Sequence, residues 1–167
     1  NVGASSPWED GDYYAWGEIQ TKSDYSWDTY KWGNSPTKYN SSDGKTTLEA
    51  SDDVATVKWG KECRMPSRAE FQELYNKCDW TWKSNYNGAS GYLVKGPNNQ
   101  TIFLPASGFR KYGGLYGHGS YGGYWSSSLN ASYTGYAYIL YFYSGYIDPG
   151  GYYYRYYGLS VRPVAEK

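Results

Sequence analysis

Residues 136–143 have the sequence YAYILYFY, and this stretch sets the fold class of the chain. Aromatic and β-branched residues favour extended backbone, and side chains two positions apart share one face of a strand. If Leu140 and Phe142 face the core, the alternate positions face outward. Those outward positions are Ile139, Tyr141 and Tyr143. The stretch therefore predicts a strand with one buried face and one exposed, mainly aromatic face.

Other short segments of this kind, separated by Gly, Pro, Asn and Asp, predict further strands. They are DYYAWGEI (12–19), WTWK (80–83), GYLVKG (91–96), TIFLPAS (101–107), YWSSS (124–128), YYYR (152–155) and LSVRPV (159–164). The Ser-, Asn-, Asp- and Gly-rich residues 34–45 predict a long loop.

A first helix is predicted to begin near Ser51 and to end at Gly60. Asp52 and Asp53 would lie in its first turn, where carboxylates suit the helix dipole. The residues expected to face the core are Val54 and Val57.

A second helix has a clearer start. Ser67 and Glu70 have the spacing of a capping box, and Pro66 precedes them. Its apolar face would contain Phe71, Leu74, Tyr75 and Cys78. Two early helices followed by a run of short strands predict an α+β domain, with two helices packed on short antiparallel strands.

Composition limits the classes of function. The 167 residues suit one domain, and 16 basic against 16 acidic residues leave no formal net charge. That balance argues against nucleic-acid binding. No apolar run approaches the ~20 residues of a membrane-spanning helix, so direct membrane insertion is not expected. Leu, Ile, Val and Phe number only 22, whereas aromatic residues number 35, so the core is expected to be aromatic.

The C-terminal half has an unusual tyrosine-rich tract at residues 112–157. Fifteen Tyr, ten Gly and six Ser fill 31 of its 46 positions, and it has no Lys, Glu, Gln or Met. One interpretation is a low-complexity, partly disordered segment. The regular recurrence of Trp125, Leu140, Phe142 and Ile147 favours a folded alternative, because these positions are spaced as core anchors. Tyr, Ser and Gly are also the residues of antibody loops, so the tract predicts a recognition surface.

Four pieces of the sequence, in order, carry a resemblance to a known family. They are NVGASSP…GDYYAWGE (1–18), TTLEASDDVATVKWGKECRMPSRAEFQEL (46–74), IFLPASGFR (102–110) and YWSSS…AYILYF…GLSVRPV (124–164). Together they resemble the major paralogous domain family of bacterial surface proteins, whose fold is related to the formylglycine-generating-enzyme branch of C-type lectin folds. The resemblance implies a single C-type-lectin-like domain over residues 1–167, with its first strand upstream of residue 1.

Some members of this fold branch are variable proteins of diversity-generating retroelements. Those systems mutate template adenines, mainly in AAC codons, and such codons cannot become Lys, Glu, Gln, Met or Trp. The tract 112–157 agrees with that exclusion, apart from Trp125 in the fixed YWSSS piece. The resemblance therefore implies that residues 112–157 are the variable region.

Carried over position by position, the resemblance divides the tract into scaffold and ligand-facing residues. The implied scaffold is Gly123, Trp125 to Ser128, Ala137, Leu140, Phe142, Arg155, Gly158 and Ser160 to Val164. The implied ligand-binding set is Tyr116, His118, Tyr121, Asn130, Ser132, Tyr133, Tyr136, Ile139, Tyr141, Tyr143, Tyr146, Asp148, Tyr152, Tyr153, Tyr154, Tyr156 and Tyr157. Several members of this second set must belong to the scaffold, and the sequence does not separate them all.

Catalytic and metal-binding patterns have little support in the sequence. His118 is the one histidine, and no serine lies in a G-x-S-x-G elbow. Formylglycine-generating enzymes use cysteines late in the chain, whereas Cys63 and Cys78 flank the second predicted helix. These two cysteines either pair in an exported protein or pack as separate thiols. We expect no enzyme activity, no cofactor and no bound metal; a formylglycine-generating-type enzyme is the remote alternative.

The function expected from the sequence is non-covalent ligand recognition by a hypervariable tyrosine-rich surface. The alternative is an adhesin or glycan-binding module that is not diversified. The expected partner is a protein or glycan on another cell or surface. The expected location is the cell surface or the extracellular space, through an upstream lipoprotein or anchor segment, with a phage particle as the alternative.

Overall fold

The computed structural model describes residues 1–166, and its longer helix begins where the capping box predicts. Helix α2 spans Arg68–Lys77. The Ser67 hydroxyl accepts a hydrogen bond from the Glu70 amide at 3.1 Å, and the Glu70 carboxylate accepts one from the Ser67 amide at 2.8 Å. Phe71 is buried, as expected, whereas Tyr75 is 41% exposed. The capping box is confirmed, and the apolar face is narrower than predicted.

The shorter helix, α1, spans Val54–Trp59 and follows a single 3₁₀ turn at Ala50–Asp52. Asp53 is its N-cap, and its carboxylate accepts hydrogen bonds from two amides of the first turn at 2.9 and 3.1 Å. The helix ends at Gly60, as predicted. The prediction for Val57 is wrong, because the helix meets the core only at its first turn and Val57 is 44% exposed.

Residues 1–166 form ten strands, all paired antiparallel within their sheets. Their bounds are β1 Cys63–Arg64, β2 Asp79–Tyr86, β3 Ala89–Lys95, β4 Thr101–Pro105, β5 Phe109–Lys111, β6 Gly114–Tyr116, β7 Tyr121–Leu129, β8 Tyr136–Tyr143, β9 Tyr146–Tyr154 and β10 Val164–Ala165. Two sheets have three strands, in the orders β2-β3-β4 and β7-β8-β9, and the pairs β1-β10 and β5-β6 complete the set. The fold is therefore α+β, with few helices and mainly antiparallel strands.

The predicted strands at the two ends of the chain are largely wrong. Of residues 12–19, Tyr14 makes one isolated bridge, exchanging two 3.0 Å backbone hydrogen bonds with Leu159. The ladder stops there because the chain turns at Gly17, where φ is +80°. Of residues 159–164, only Val164 lies in a strand, β10.

The strand β8 is covered on both faces for most of its length. Leu140 and Phe142 enter one buried cluster with α2, β3 and β4. Ala137 and Ile139 enter a second cluster with Trp16, Trp125 and other residues. Ile139 is fully buried, so the prediction that it faces outward is wrong. The alternation predicts one buried face of β8, whereas residues of the N-terminal segment, such as Trp16, cover the other face as well.

The end of β9 is fastened by a buried cation. Arg155 is fully buried, and its guanidinium donates to the backbone oxygens of Lys38, Tyr39 and Thr134 at 2.8–3.0 Å. The ring centroid of Trp16 lies 4.9 Å from its central carbon. The early loop around residues 38–39 is thereby joined to the sheet.

Cys63 and Cys78 are both free and half-buried. Of the two alternatives that the sequence leaves open, the structure has separate thiols. Burial raises the pKa of the Cys78 thiol above its ordinary value.

Candidate functional site

Eight tyrosines of the tract 112–157 have exposed side chains, although large aromatic residues usually contribute to the core. They are Tyr112, Tyr116, Tyr121, Tyr133, Tyr143, Tyr146, Tyr152 and Tyr154. Exposed aromatic residues are unusual only where they form contiguous patches, so the positions of these eight on the sheet decide their significance.

The β8–β9 hairpin brings two of these tyrosines together. Tyr143 and Tyr146 are opposite each other, and a two-residue turn of Ser144 and Gly145 joins their strands. Gly145 has φ +88°, which a residue without Cβ adopts at little cost. The rings stack with centroids 5.0 Å apart. The turn therefore fixes the positions of the stacked Tyr143 and Tyr146 rings at this end of the hairpin.

Strand β7 adds Tyr121 directly opposite Tyr143. The ring of Tyr121 lies over Gly117, where a Cβ would overlap the ring. The next residue, Gly122, is opposite Phe142, and a Cβ there would overlap the Phe142 ring. Gly117 thus allows the Tyr121 ring to pack over its turn, and Gly122 allows the Phe142 ring to pack against β7.

A groove of ≈ 490 Å³ opens between these elements. We call it the tyrosine groove; it is lined by Trp82, Gly119, Ser120, Tyr121, Tyr141, Tyr143 and Ser144. The rings of Tyr121 and Tyr141 are nearly parallel, with centroids 6.0 Å apart. The ring of Tyr143 stands at 87° to that of Tyr121. The groove therefore has aromatic walls in two orientations.

The lining of the tyrosine groove is uncharged. None of its seven residues is Asp, Glu, Lys, Arg or His. Burial, followed by the neighbouring phenols of Tyr121, Tyr143 and Tyr146, raises the pKa of Tyr141 above its ordinary value. The Tyr141 hydroxyl consequently stays protonated and neutral at physiological pH.

A chain of rings continues from the groove across the sheet. Tyr153 lies 6.0 Å from Tyr141, and Phe109 lies 5.7 Å from Tyr153. Phe109 also stacks on Tyr116 and Tyr157, at 5.6 and 5.5 Å. Tyr153 and Tyr157 are half-buried, so they support the surface from below as well as contributing to it.

A second aromatic patch lies at the other end of β8 and β9. Tyr136 stacks on Tyr154 at 4.3 Å and meets Tyr152 edge-on at 5.2 Å. Arg68 extends the patch, since its guanidinium carbon lies 3.9 Å from the ring centroid of Tyr138. A hydrogen bond with Tyr154 is the main cause that raises the pKa of Tyr136 to about 12. This patch, unlike the groove, includes a cation.

Three members of the expected ligand-binding set are buried. Ile139 belongs to the core, as described above. Asn130 is buried, and its side-chain oxygen accepts from the amides of Ser132 and Tyr133 at 3.1 and 3.2 Å. Tyr156 is buried and lies 5.0 Å from Trp27. The expectation that these residues face a ligand is corrected, because one forms the core, one caps a turn and one packs under a tryptophan.

Two other members of that set are exposed but distant from the groove. Ser132 and Tyr133 lie in the loop that joins β7 to β8, whereas the groove lies at the opposite end of these strands. Eight residues of strand separate the two ends by roughly 20 Å or more.

His118 and Asp148, the remaining polar members, have partners within the protein. The Nε2 atom of His118 lies 2.6 Å from the Asp10 carboxylate. His118 and Asp10 line a separate cavity that also includes Ser90. The Ser90 hydroxyl, however, donates to the Ser84 carbonyl oxygen at 3.0 Å. Asp148 accepts from the Gly150 amide at 2.9 Å. The geometry does not bring a serine, a histidine and an acid into one hydrogen-bonded chain.

Sequence reasoning missed Trp82, Ser120 and Ser144 in the groove and Phe109 beneath the ring chain. Ser144 had a signal, since it lies in the turn directly after YAYILYFY. Trp82 had only the alternation of WTWK, which does not say which other sheet its side chain meets. Its place in the groove depends on how the sheet β2-β3-β4 packs on β7-β8-β9.

Within residues 1–166, no group of three or more His, Cys, Asp and Glu side chains is placed to hold a metal ion. Neither of the helices described for that part of the chain has the length and apolar character to cross a membrane.

These features define an α+β domain in which one antiparallel sheet carries an uncharged aromatic groove. Residues 76–164, just over half of the chain, match the family described as Domain of unknown function (DUF8237), and the chain belongs to that family. The matched segment contains all the residues of the tyrosine groove. Neither the curated proteins nor the solved structures gave a match.

Proposed function

We propose that this domain recognises a ligand non-covalently through the tyrosine surface of the sheet β7-β8-β9. The observation that carries the proposal is the exposure of aromatic side chains around an open, uncharged groove. Tyrosine gives contact area and a hydroxyl with few rotatable bonds, so little order is lost on binding. The balance of 16 basic and 16 acidic residues supports a partner other than nucleic acid.

The proposal extends to the fold and the genetic system. The α+β architecture is compatible with a C-type-lectin-like fold, and we propose that the domain is the variable protein of a diversity-generating retroelement. In support, the implied scaffold positions Trp125, Leu140, Phe142 and Arg155 are buried, and most implied variable tyrosines are exposed or half-buried. A rigid sheet that keeps its variable residues outside the core tolerates many substitutions at those residues.

Surface display follows from the same proposal. A recognition domain of this kind would be presented on a cell surface, with a phage particle as the alternative, where it meets a protein or glycan of another cell. No catalytic step or cofactor enters the proposed function.

Deep sequencing of the encoding locus within one population tests the proposal. We expect a nearby near-copy of the segment for residues 112–157, with AAC codons where the gene varies. Variation should fall on codons for exposed residues such as Tyr121, Tyr143 and Tyr154 and should spare Trp125 and Phe142. An invariant gene without a template copy would contradict diversification and would favour a surface-binding domain of fixed specificity.

A further inference from the structure

We infer that the tyrosine groove binds a neutral oligosaccharide, by stacking a sugar ring on its aromatic walls and hydrogen-bonding the sugar hydroxyls. The inference rests on the proposed function, because it names the class of ligand for the same surface. It concerns the groove and not the second aromatic patch around Tyr136, Tyr152 and Tyr154.

The first argument is charge. None of the seven residues that line the groove carries a charge. In the whole tract 112–157, Arg155 and Asp148 are the one basic and the one acidic residue. Arg155 is fully buried and Asp148 is held by the Gly150 amide. A sulfated, phosphorylated or carboxylated ligand would therefore leave its charge without a counter-charge in the groove, which is costly on desolvation. A neutral ligand avoids that cost.

The second argument is the arrangement of the rings. A sugar ring has an apolar face of C–H groups, which an aromatic face can cover, and a rim of hydroxyls. Tyr121 and Tyr141 present nearly parallel rings, and Tyr143 stands almost perpendicular to Tyr121. One wall can therefore cover the apolar face while the other meets the ring edge. Trp82 adds a larger aromatic surface from the neighbouring sheet.

The third argument is the supply of hydroxyl groups. Tyr121, Tyr141 and Tyr143 bring three phenol hydroxyls to the lining of the groove. Ser120 and Ser144 add two more hydroxyls at the rim. Each can donate and accept, which suits a ligand whose polar groups are also hydroxyls. An apolar ligand would leave them unused.

The fourth argument is size and shape. A volume of ≈ 490 Å³ lies in the range of pockets for small ligands, and the groove is widely open to solvent. A protein partner on a standard interface would instead need about 800 Å² of its surface to be covered. The groove fits one or two units of a sugar chain whose remainder extends along the open surface.

The test is an array of neutral and acidic oligosaccharides, followed by titration of any that bind, in the presence of EDTA and at low and high salt. We expect at least one neutral oligosaccharide to bind, without loss on chelation and without marked dependence on salt, since no ion pair is involved. Tyr121→Ala and Tyr143→Ala should each weaken binding about tenfold, which corresponds to ~1.4 kcal/mol of lost contact. Tyr143→Phe, which keeps the ring, should weaken it less.

Tyr75→Ala is the matched control, because Tyr75 is 41% exposed and lies on α2, outside the tyrosine-bearing sheet. It should leave affinity unchanged, and all variants should keep the cooperative thermal transition of the parent domain. Binding of acidic oligosaccharides alone, or of no neutral oligosaccharide, overturns the inference. A second outcome also overturns it: binding of a neutral oligosaccharide persists in Tyr121→Ala and Tyr143→Ala but is lost in Tyr152→Ala and Tyr154→Ala. That outcome would leave the proposed recognition function intact. Sequencing of the locus judges diversification separately.

Discussion

The hydroxyl of Tyr92, on β3, donates a 3.0 Å hydrogen bond to the carbonyl oxygen of Tyr143, on β8. The same hydroxyl accepts a hydrogen bond from the Gly145 amide at 3.0 Å. Tyr92 is buried, and its ring lies 5.1 Å from Trp82 and 5.2 Å from Phe142. One side chain therefore joins the two three-stranded sheets and holds the hairpin tip that forms a wall of the tyrosine groove.

Tyr92→Phe should loosen this hairpin tip without emptying the core. The ring stays, but the Gly145 amide and the Tyr143 carbonyl lose their shared partner, at a cost of about 1 kcal/mol in unfolding free energy. Hydrogen exchange of the Gly145 amide should accelerate more than that of amides in the middle of β8. Tyr75→Phe is the control, since Tyr75 is exposed on α2. Unchanged exchange at Gly145 in the Tyr92 variant would show that this bond does not hold the tip.

Gly122→Ala should destabilise the domain by about 1–3 kcal/mol, the usual range for overpacking. The added Cβ would overlap the ring of Phe142, which is fully buried against Tyr92 and Tyr124 and has no room to move away. Gly113→Ala is the matched control within the same tract, because a Cβ there meets only the Ser23 carbonyl at 3.9 Å. Chemical denaturation measures both. Similar losses in the two variants would contradict the packing argument.

Local signals predicted the parts of the fold that depend on neighbours in sequence. The capping box involves Ser67 and Glu70, which are three positions apart, so the sequence alone predicts it. The burial of Leu140 and Phe142 is likewise confirmed, because the alternation in β8 marks them as core-facing. Trp125 is buried too, as its recurrence among the tyrosines as a core anchor predicts.

Features that depend on distant packing could not be predicted in this way. Ile139 lies on the face of β8 that the alternation predicts to be exposed, but the N-terminal segment around Trp16 covers that face. Trp82 reaches the groove only because its sheet, β2-β3-β4, packs on the sheet β7-β8-β9, whose groove residue Tyr121 is 39 positions further along the chain. The tract composition predicted an aromatic surface, and tertiary packing decided which tyrosines occupy it.

Acid should weaken the fold partly through Glu70. The Arg64 guanidinium, which donates two 2.7 Å hydrogen bonds, is the main cause that lowers the pKa of Glu70 from 4.5 to about 2. Because the folded state favours the ionised form, this stabilisation is complete above pH ~4.5 and is lost as the pH falls from 4.5 towards 2.

Glu70→Gln should therefore lower the unfolding free energy at pH 7 by about 1 kcal/mol, a modest figure because the pair is partly solvent-screened. It should also flatten the dependence of stability on pH between 4.5 and 2. Glu73→Gln, which disrupts the exposed pair with Lys77, is the control and should have a smaller effect. Urea denaturation at several pH values measures both. A parallel pH dependence in the Glu70 variant and the parent would contradict the linkage.

Arg155→Met should cost about 3 kcal/mol or more of unfolding free energy, although methionine fills much of the same volume. The substitution leaves the backbone oxygens of Lys38, Tyr39 and Thr134 buried without their donor. Arg155→Lys keeps the charge but cannot donate in a planar fork, so it should recover only part of the loss. Arg68→Met is the control, because that arginine is exposed and lies over Tyr138. Urea denaturation of the three variants ranks them. If the Arg155 and Arg68 variants lost equal stability, the buried guanidinium would not be what fastens the early loop to the tyrosine-bearing sheet.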